Sequence, residues 1–133
     1  QAFRLSARAL DATTLEIRFD VADGYYLYRD KLKFGVEPAA AGAGVPVLPP
    51  GKVIEDEFFG RVATYRGPVV IQLPLAAGQP GGSVSLEVDS QGCADAGVCY
   101  PPQQQRLTLP LPRAGAAPSA PVDASPSKKS YFN

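Results

Sequence analysis

The chain of 133 residues contains no histidine, no methionine and no tryptophan, and it contains only two cysteines. Two thiols without an imidazole or a thioether cannot complete a tetrahedral zinc site or a soft copper site unless another protein supplies ligands. The missing histidine also removes the side chain that most readily exchanges protons near neutral pH. A metal chaperone is therefore a disfavoured function, and we expect no bound cofactor and no metal.

Long runs of like charge and of apolar residues are also lacking. The 13 Lys and Arg residues balance the 13 Asp and Glu residues, which leaves no electrostatic footprint for nucleic acid or an anionic membrane. No apolar run reaches the roughly eighteen residues of a transmembrane helix, and no export signal opens the chain. The absence of methionine even at position 1 indicates a processed or excised piece of a longer parent protein.

Apolar residues alternate with polar ones along most of the chain, which is typical of strands with one face on a core. With 14 prolines and 13 glycines as turn formers and 45% apolar residues, this pattern predicts an all-β, immunoglobulin-like antiparallel β-sandwich. Its usual inter-sheet disulfide is excluded because only five residues separate the two cysteines. The main alternating rows are Leu15/Ile17/Phe19/Val21, Val69/Ile71/Leu73/Leu75, Val84/Leu86/Val88 and Leu107/Leu109/Leu111.

A change of composition near Pro112 predicts a domain boundary. We expect residues 1–112 to form the sandwich and residues 113–133, which are rich in Ala, Pro and Ser, to be a flexible linker and tail. Whether residues 128–133 belong to the native linker is left open.

Cys93 and Cys99 allow a structural and a reactive interpretation. A structural disulfide is common in exported domains, but closing so short a loop contributes only about 2.4 kcal/mol in the chain-entropy model. The row that ends at Val88 and the row that starts at Leu107 are natural hairpin partners, so the cysteines lie at the rim of the sandwich. The small residues between them leave both sulfurs accessible, which favours thiol–disulfide exchange.

The segment Glu55–Gly60 places Phe58 and Phe59 among acidic residues and does not alternate like a strand. In one interpretation a phenylalanine packs into the core and the charges are solvated. In the other, a ring covers the sulfurs as a lid until a partner displaces it. Asp56 and Glu57, if they lie close by, raise the pKa of the thiols.

Tyrosines alternate in the segment Asp23–Arg29, where Tyr26 and Tyr28 share one strand face and Tyr25 and Leu27 share the other. Half-buried tyrosines are ordinary residues of strands. The alternative is that the hydroxyls of Tyr26 and Tyr28 line the thiol site.

Three segments together resemble one known family, the N-terminal periplasmic domains of the thiol:disulfide interchange protein DsbD. They are Cys-Ala-Asp-Ala-Gly-Val-Cys-Tyr-Pro-Pro, Glu-Asp-Glu-Phe-Phe-Gly and Asp-Gly-Tyr-Tyr-Leu-Tyr-Arg, and the resemblance extends from about Phe3 to Pro112. It implies that Cys99 forms the mixed disulfide with partners and that Cys93 resolves it. It also makes Glu55–Gly60 a cap loop with Phe58 as its covering ring. The surrounding residues are Asp56, Glu57, Phe59, Tyr26 and Tyr28.

The resemblance further implies a monomeric periplasmic domain of a membrane-embedded parent protein. A thioredoxin-like C-terminal domain of the parent would reduce it, and it would reduce a disulfide isomerase and a cytochrome c maturation thioredoxin. It would then be a protein-disulfide reductase without a cofactor. The alternative from another class is an immunoglobulin-like binding or scaffold module whose disulfide is purely structural.

Overall fold

A computed structural model describes residues 2–124, and its regular structure is almost entirely antiparallel β-strand. The two exceptions are single 3₁₀ turns at Arg29–Lys31 and Ala39–Ala41. No helix in the described part of the chain has the length and apolarity needed to cross a membrane. The strands are β1 (Phe3–Asp11), β2 (Thr14–Val21), β3 (Tyr25–Tyr28), β4 (Lys33–Glu37), β5 (Lys52–Asp56), β6 (Gly60–Tyr65), β7 (Gly67–Pro74), β8 (Ser83–Ser90), β9 (Gly92–Ala94), β10 (Gln103–Pro110) and β11 (Val122–Asp123).

The main core is built from the apolar rows that the sequence predicts. One sheet has the order β11-β1-β2-β7 and a second has the order β10-β8-β4. The predicted rows on β2, β7, β8 and β10 are buried in one continuous cluster, while their alternate residues are mostly exposed or half-buried. The predicted pairing of β8 with β10 is confirmed, from Ser83↔Pro110 to Ser90↔Gln103. These two sheets form the scaffold.

A third sheet, of order β5-β6-β3-β9, separates the scaffold from a smaller cluster. Side chains on β3 alternate between the two: Leu27 joins the main core, whereas Tyr26 and Tyr28 pack with Cys93 in the smaller cluster. The two-residue period of the strand thus turns these tyrosines away from the scaffold and towards the cysteines.

The segment after Pro112 differs from the predicted flexible linker. Ser119 donates its N–H to the Ala9 carbonyl and accepts the Ala9 N–H on its hydroxyl, both at 2.9 Å. Further along, β11 pairs with β1, and Ala124 donates to the Leu5 carbonyl at 2.9 Å. Composition did not reveal this contact because an edge strand pairs through its backbone groups. Residues 125–133 lie outside the described residues, and the boundary at Pro112 stays a prediction.

Candidate active site

The cysteine loop, residues 93–99, begins on β9 and turns back on itself. Cys93 lies opposite Tyr26 of β3 on one side and opposite Cys99 on the other, and the two cysteines form a disulfide. They occupy a non-hydrogen-bonded pair of an antiparallel ladder, the position at which facing side chains approach most closely. The flanking backbone hydrogen bonds run from Ala94 N–H to the Val98 carbonyl (2.6 Å) and from Tyr100 N–H to the Gly92 carbonyl (3.0 Å).

The two cysteine residues differ in their exposure to solvent. Cys93 is fully buried, with 0% of its surface exposed, whereas Cys99 is partly exposed. The expectation that both sulfurs lie on an accessible rim is therefore wrong for Cys93. Its strand is hydrogen-bonded to β3, and the neighbouring Gly92 lies so close to Phe3 and to the Tyr26 carbonyl that even a Cβ atom would clash with them.

Tyr28 connects both sulfurs to a carboxylate. Its hydroxyl oxygen lies 2.9 Å from Cys93 Sγ and 3.6 Å from Cys99 Sγ, and it donates a hydrogen bond to Asp56 Oδ2 at 2.8 Å. Tyr26 donates to the same carboxylate oxygen. The predicted arrangement of Tyr26 and Tyr28 beside the cysteines is thus present, and both side chains are buried.

Asp56 is a buried carboxylate, 6% exposed, that ends β5 and holds the cap loop. Its Oδ1 accepts the N–H groups of Phe58 and Phe59 at 2.7 and 2.8 Å, while Oδ2 accepts the two tyrosine hydroxyls. The following Gly60 has a φ of +75°, a left-handed conformation that glycine adopts at little steric cost. One carboxylate thus positions both the cap loop and the tyrosines.

The electrostatics of this group favour a charged carboxylate and neutral phenols. Burial raises the pKa of Asp56, but its hydrogen bonds from Tyr26, Tyr28 and the two backbone N–H groups outweigh burial and leave that pKa below its usual value. Burial raises the pKa of Tyr28, and its hydrogen bond to Asp56 raises it further. The same two causes raise the pKa of Tyr26. At neutral pH the tyrosines are therefore donors and Asp56 is the acceptor.

The aromatic rings of the cap loop stay outside the main core, since 49% of Phe58 and 46% of Phe59 is exposed. Phe59 packs edge-on against Tyr28, with ring centroids 4.9 Å apart, and the Lys31 ammonium lies 4.7 Å from the Phe59 centroid. Sequence reasoning assigned the covering ring to Phe58, whereas the structure brings Phe59 onto the tyrosine beside the sulfurs. Glu57 is exposed and forms no hydrogen bond or ion pair within residues 2–124.

Arg66 and Asp95 are site residues that sequence reasoning missed. Asp95 lies in the cysteine loop, and Arg66 follows β6 and forms an ion pair with it. An acidic residue between the two cysteines was the available signal, because a carboxylate is stabilised by a cationic or hydrogen-bonding partner. The identity of that partner depends on the tertiary structure.

Comparison with known proteins agrees with this geometry. The family described as thiol:disulfide interchange protein DsbD, N-terminal, matches residues 1–111. The chain is 44% identical over 129 residues to the thiol:disulfide interchange protein DsbD of Ralstonia nicotianae, covering 96% of this chain and 21% of the relative. It is 44% identical over 121 residues to DsbD 2 of Pseudomonas aeruginosa, covering 90% of this chain and 18% of that protein. The chain thus spans about a fifth of the length of these relatives.

Two solved structures from Neisseria meningitidis have a similar fold. The DsbD N-terminal domain in the reduced form aligns with a TM-score of 0.77 and 31% identity over 93% of this chain and 91% of that one. A complex between the DsbD and PilB N-terminal domains aligns with a TM-score of 0.68 and 33% identity, covering 89% and 88% of the two chains. These similarities confirm the predicted immunoglobulin-like sandwich. With the Cys93–Cys99 disulfide they support a role in thiol:disulfide interchange, and the chain belongs to the family of DsbD N-terminal domains.

Proposed function

We propose that this domain is a protein-disulfide reductase module in which Cys99 attacks partner disulfides and Cys93 resolves the mixed disulfide. The difference in exposure between the two residues supports this division of labour: Cys99 is partly exposed, whereas Cys93 is buried. Thiol–disulfide exchange needs an unobstructed approach to the sulfur that reacts with the other protein. The resolving sulfur needs access only to its neighbour, which the facing position across the loop provides.

The exchange proceeds in two steps that together transfer two electrons to the partner. The Cys99 thiolate attacks one sulfur of the partner disulfide, and the partner's other sulfur leaves as a thiolate. The Cys93 thiolate then attacks Cys99 Sγ, so the Cys93–Cys99 bond forms while the bond to the partner breaks. The partner's second sulfur leaves with the electron pair, and each released thiolate takes a proton from water.

Tyr28 and Asp56 form a hydrogen-bonded group beside Cys93. In the disulfide state Cys93 Sγ lies 2.9 Å from the Tyr28 hydroxyl oxygen, which itself donates to Asp56. Asp56 orients this phenol, and the sequence contains no histidine that could serve as base. Tyr28 keeps its own proton and Asp56 is a weak base, so we assign them the orientation of Cys93, and water takes the Cys93 proton before the resolving attack.

The cap loop shields this chemistry from small molecules. Phe59 lies against Tyr28, and Phe58 is next to it on the same hydrogen-bonded turn. We infer that a docking protein displaces the tip of the cap loop, because half-exposed rings held mainly by one carboxylate move at little cost. This assigns covering to the pair of rings, which are similarly exposed.

Thioredoxin-fold proteins are the proposed partners. The solved complex of a related DsbD N-terminal domain with a PilB N-terminal domain supports this class, as do the names of the curated relatives. In the parent protein a thioredoxin-like C-terminal domain reduces this domain, which then reduces periplasmic partners such as a disulfide isomerase and a cytochrome c maturation thioredoxin. The domain works as a monomer in the periplasm, and residues 113–133 lead to the rest of the parent.

The test is exchange with an oxidised thioredoxin-fold protein. The reduced wild-type domain should transfer its electrons completely, and Cys99→Ser should abolish the mixed disulfide, seen on a non-reducing gel. Cys93→Ser should trap it, because the resolving sulfur is missing. Trapping through Cys93 instead of Cys99 would reverse the assigned roles, and absence of any exchange by the wild type would favour the binding module with a structural disulfide.

A further inference from the structure

Arg66 contacts two separate parts of the site without touching either sulfur. Its guanidinium pairs with the Asp95 carboxylate through Nη2–Oδ1 at 2.7 Å and Nη1–Oδ2 at 3.0 Å. Nη1 also donates to the Tyr25 carbonyl at 3.3 Å. The guanidinium carbon lies 5.2 Å from the centroid of the Tyr26 ring, within the range of cation–π attraction. Arg66 therefore joins the cysteine loop to β3.

Asp95 is the point at which the tip of the cysteine loop is anchored to the rest of the domain. Its side chain faces Arg66, and its N–H donates to the Gly24 carbonyl at 2.8 Å. Cys93 and Ala94, at the start of the loop, also pair with β3, whereas Gly97 N–H donates to the Ala94 carbonyl within the loop at 3.0 Å. The Arg66–Asp95 pair is thus a side-chain link between the tip of this loop and the residue that follows β6.

The Arg66–Asp95 pair contributes more to the position of the cysteine loop in the dithiol state than in the disulfide state. In the oxidised state the disulfide itself holds the two arms of the loop together. In the dithiol state and in the mixed disulfide this covalent link is absent, so the loop depends on its hydrogen bonds and on Arg66. We propose that Arg66 is a positioning residue that, through Asp95, keeps the Cys93 and Cys99 sulfurs within reach of each other. This inference rests on the proposed function of the pair.

The affected step is the resolving attack. As Cys93 Sγ bonds to Cys99 Sγ, the bond from Cys99 to the partner sulfur breaks, and the partner leaves as a thiolate. The rate of this step and the stability of the product disulfide both depend on the effective concentration of one sulfur beside the other. Loss of the anchor lowers this concentration, so it slows partner release and shifts the redox equilibrium towards the dithiol.

The size of the effect follows from the exposure of the pair. Side-chain exposure is 45% for Arg66 and 50% for Asp95. Such an exposed ion pair contributes little to the free energy of unfolding, so the fold should tolerate its loss. We expect a roughly two- to fivefold shift in the redox equilibrium with glutathione, matching the strength of exposed ion pairs. Arg66→Lys should recover only part of the shift, because an ammonium lacks the bidentate fork of a guanidinium.

The experiment compares Arg66→Gln, Asp95→Asn and the double variant with a matched control. Arg106→Gln removes an ion pair with the same 2.7 Å contact, to Glu87, in the β8–β10 hairpin. Each protein is equilibrated in glutathione buffers, and the oxidised fraction is read by thiol alkylation. The two single variants should shift equally towards the dithiol, the double variant no further, and the control not at all. The mixed disulfide with a thioredoxin-fold protein should live longer by a similar factor in the shifted variants.

Two results would overturn the role of Arg66 while leaving the proposed function intact. One is a glutathione equilibrium of Arg66→Gln that differs from wild type no more than that of Arg106→Gln. The other is an equal loss of melting temperature in the oxidised and reduced forms with an unchanged equilibrium, which marks Arg66 as purely structural. Failure of the wild type to exchange with any thioredoxin-fold protein is a separate outcome and removes the proposed function on which the inference rests.

Discussion

The main core and the cluster around Cys93 contain different kinds of side chain, although strand β3 contributes residues to both. The main core consists of aliphatic and aromatic residues and has no buried carboxylate among residues 2–124. The cluster combines two tyrosines, Asp56 and a disulfide, and every buried polar side-chain atom in the described residues has a hydrogen-bond partner. The comparison indicates that the scaffold provides stability and the cluster provides chemistry, so the two should respond separately to substitution.

The largest expected loss of stability comes from breaking the scaffold. Leu86 on β8 is fully buried in the main core, and Leu86→Ala should lower the free energy of unfolding by about 2–5 kcal/mol through lost burial and a cavity. The redox equilibrium with glutathione should stay at the wild-type value, since the cysteine loop belongs to another sheet. Urea unfolding and glutathione titration of the same protein check both statements. A redox shift comparable to that of Arg66→Gln would show that scaffold and cluster are coupled.

A smaller loss is expected from the centre of the cluster. Asp56→Asn removes a charged acceptor from four hydrogen bonds and should cost about 2 kcal/mol at neutral pH. Because the native pKa of Asp56 is lowered, its charge stabilises the fold above the unfolded pKa of about 3.9. That stabilisation is lost as pH falls through the native pKa.

The pH dependence separates this charge effect from a packing effect. The difference in unfolding free energy between wild type and Asp56→Asn should therefore shrink as the pH is lowered from about 6 to about 2. Urea unfolding at several pH values measures it. A difference that stays constant over this range would mean that Asp56 contributes through packing alone.

The smallest expected effect concerns the cap loop. Phe59→Ala removes the ring that packs against Tyr28 and should speed alkylation of the reduced cysteines by iodoacetamide several-fold. Phe58→Ala is the matched variant, since its ring is similarly exposed but has no aromatic partner within residues 2–124. It should have the weaker effect, and neither variant should alter the far-ultraviolet circular dichroism. A stronger effect at Phe58 would restore it as the principal covering ring.

The alternation of apolar and polar residues predicted much of the strand structure. Alternation of apolar residues sufficed to locate β2, β7, β8 and β10, because the two-residue period of a strand is a property of neighbours in sequence. The same period placed Tyr26 and Tyr28 on one face. The strand β11 escaped prediction, since an edge pairing with β1 depends on backbone groups and leaves no mark on composition.

Contacts between distant segments could not be predicted in this way. Asp56 is 28 residues from Tyr28, and Arg66 is 29 residues from Asp95. Each pair meets only because β3 lies between β6 and β9 in the third sheet. The contact of Phe59 instead of Phe58 with Tyr28 has a similar cause, because the turn that Asp56 caps decides which ring packs against Tyr28.

The amino-acid sequence by itself determined the strands, the main core and the short spacing that brings Cys93 and Cys99 together, because these depend on periodicity and turn-forming residues. Only the tertiary structure decided which sulfur is buried, which carboxylate meets the tyrosines and which cation anchors the cysteine loop. The physical reason is that burial and hydrogen-bond geometry depend on the order and register of strands, which place residues from four segments around one disulfide.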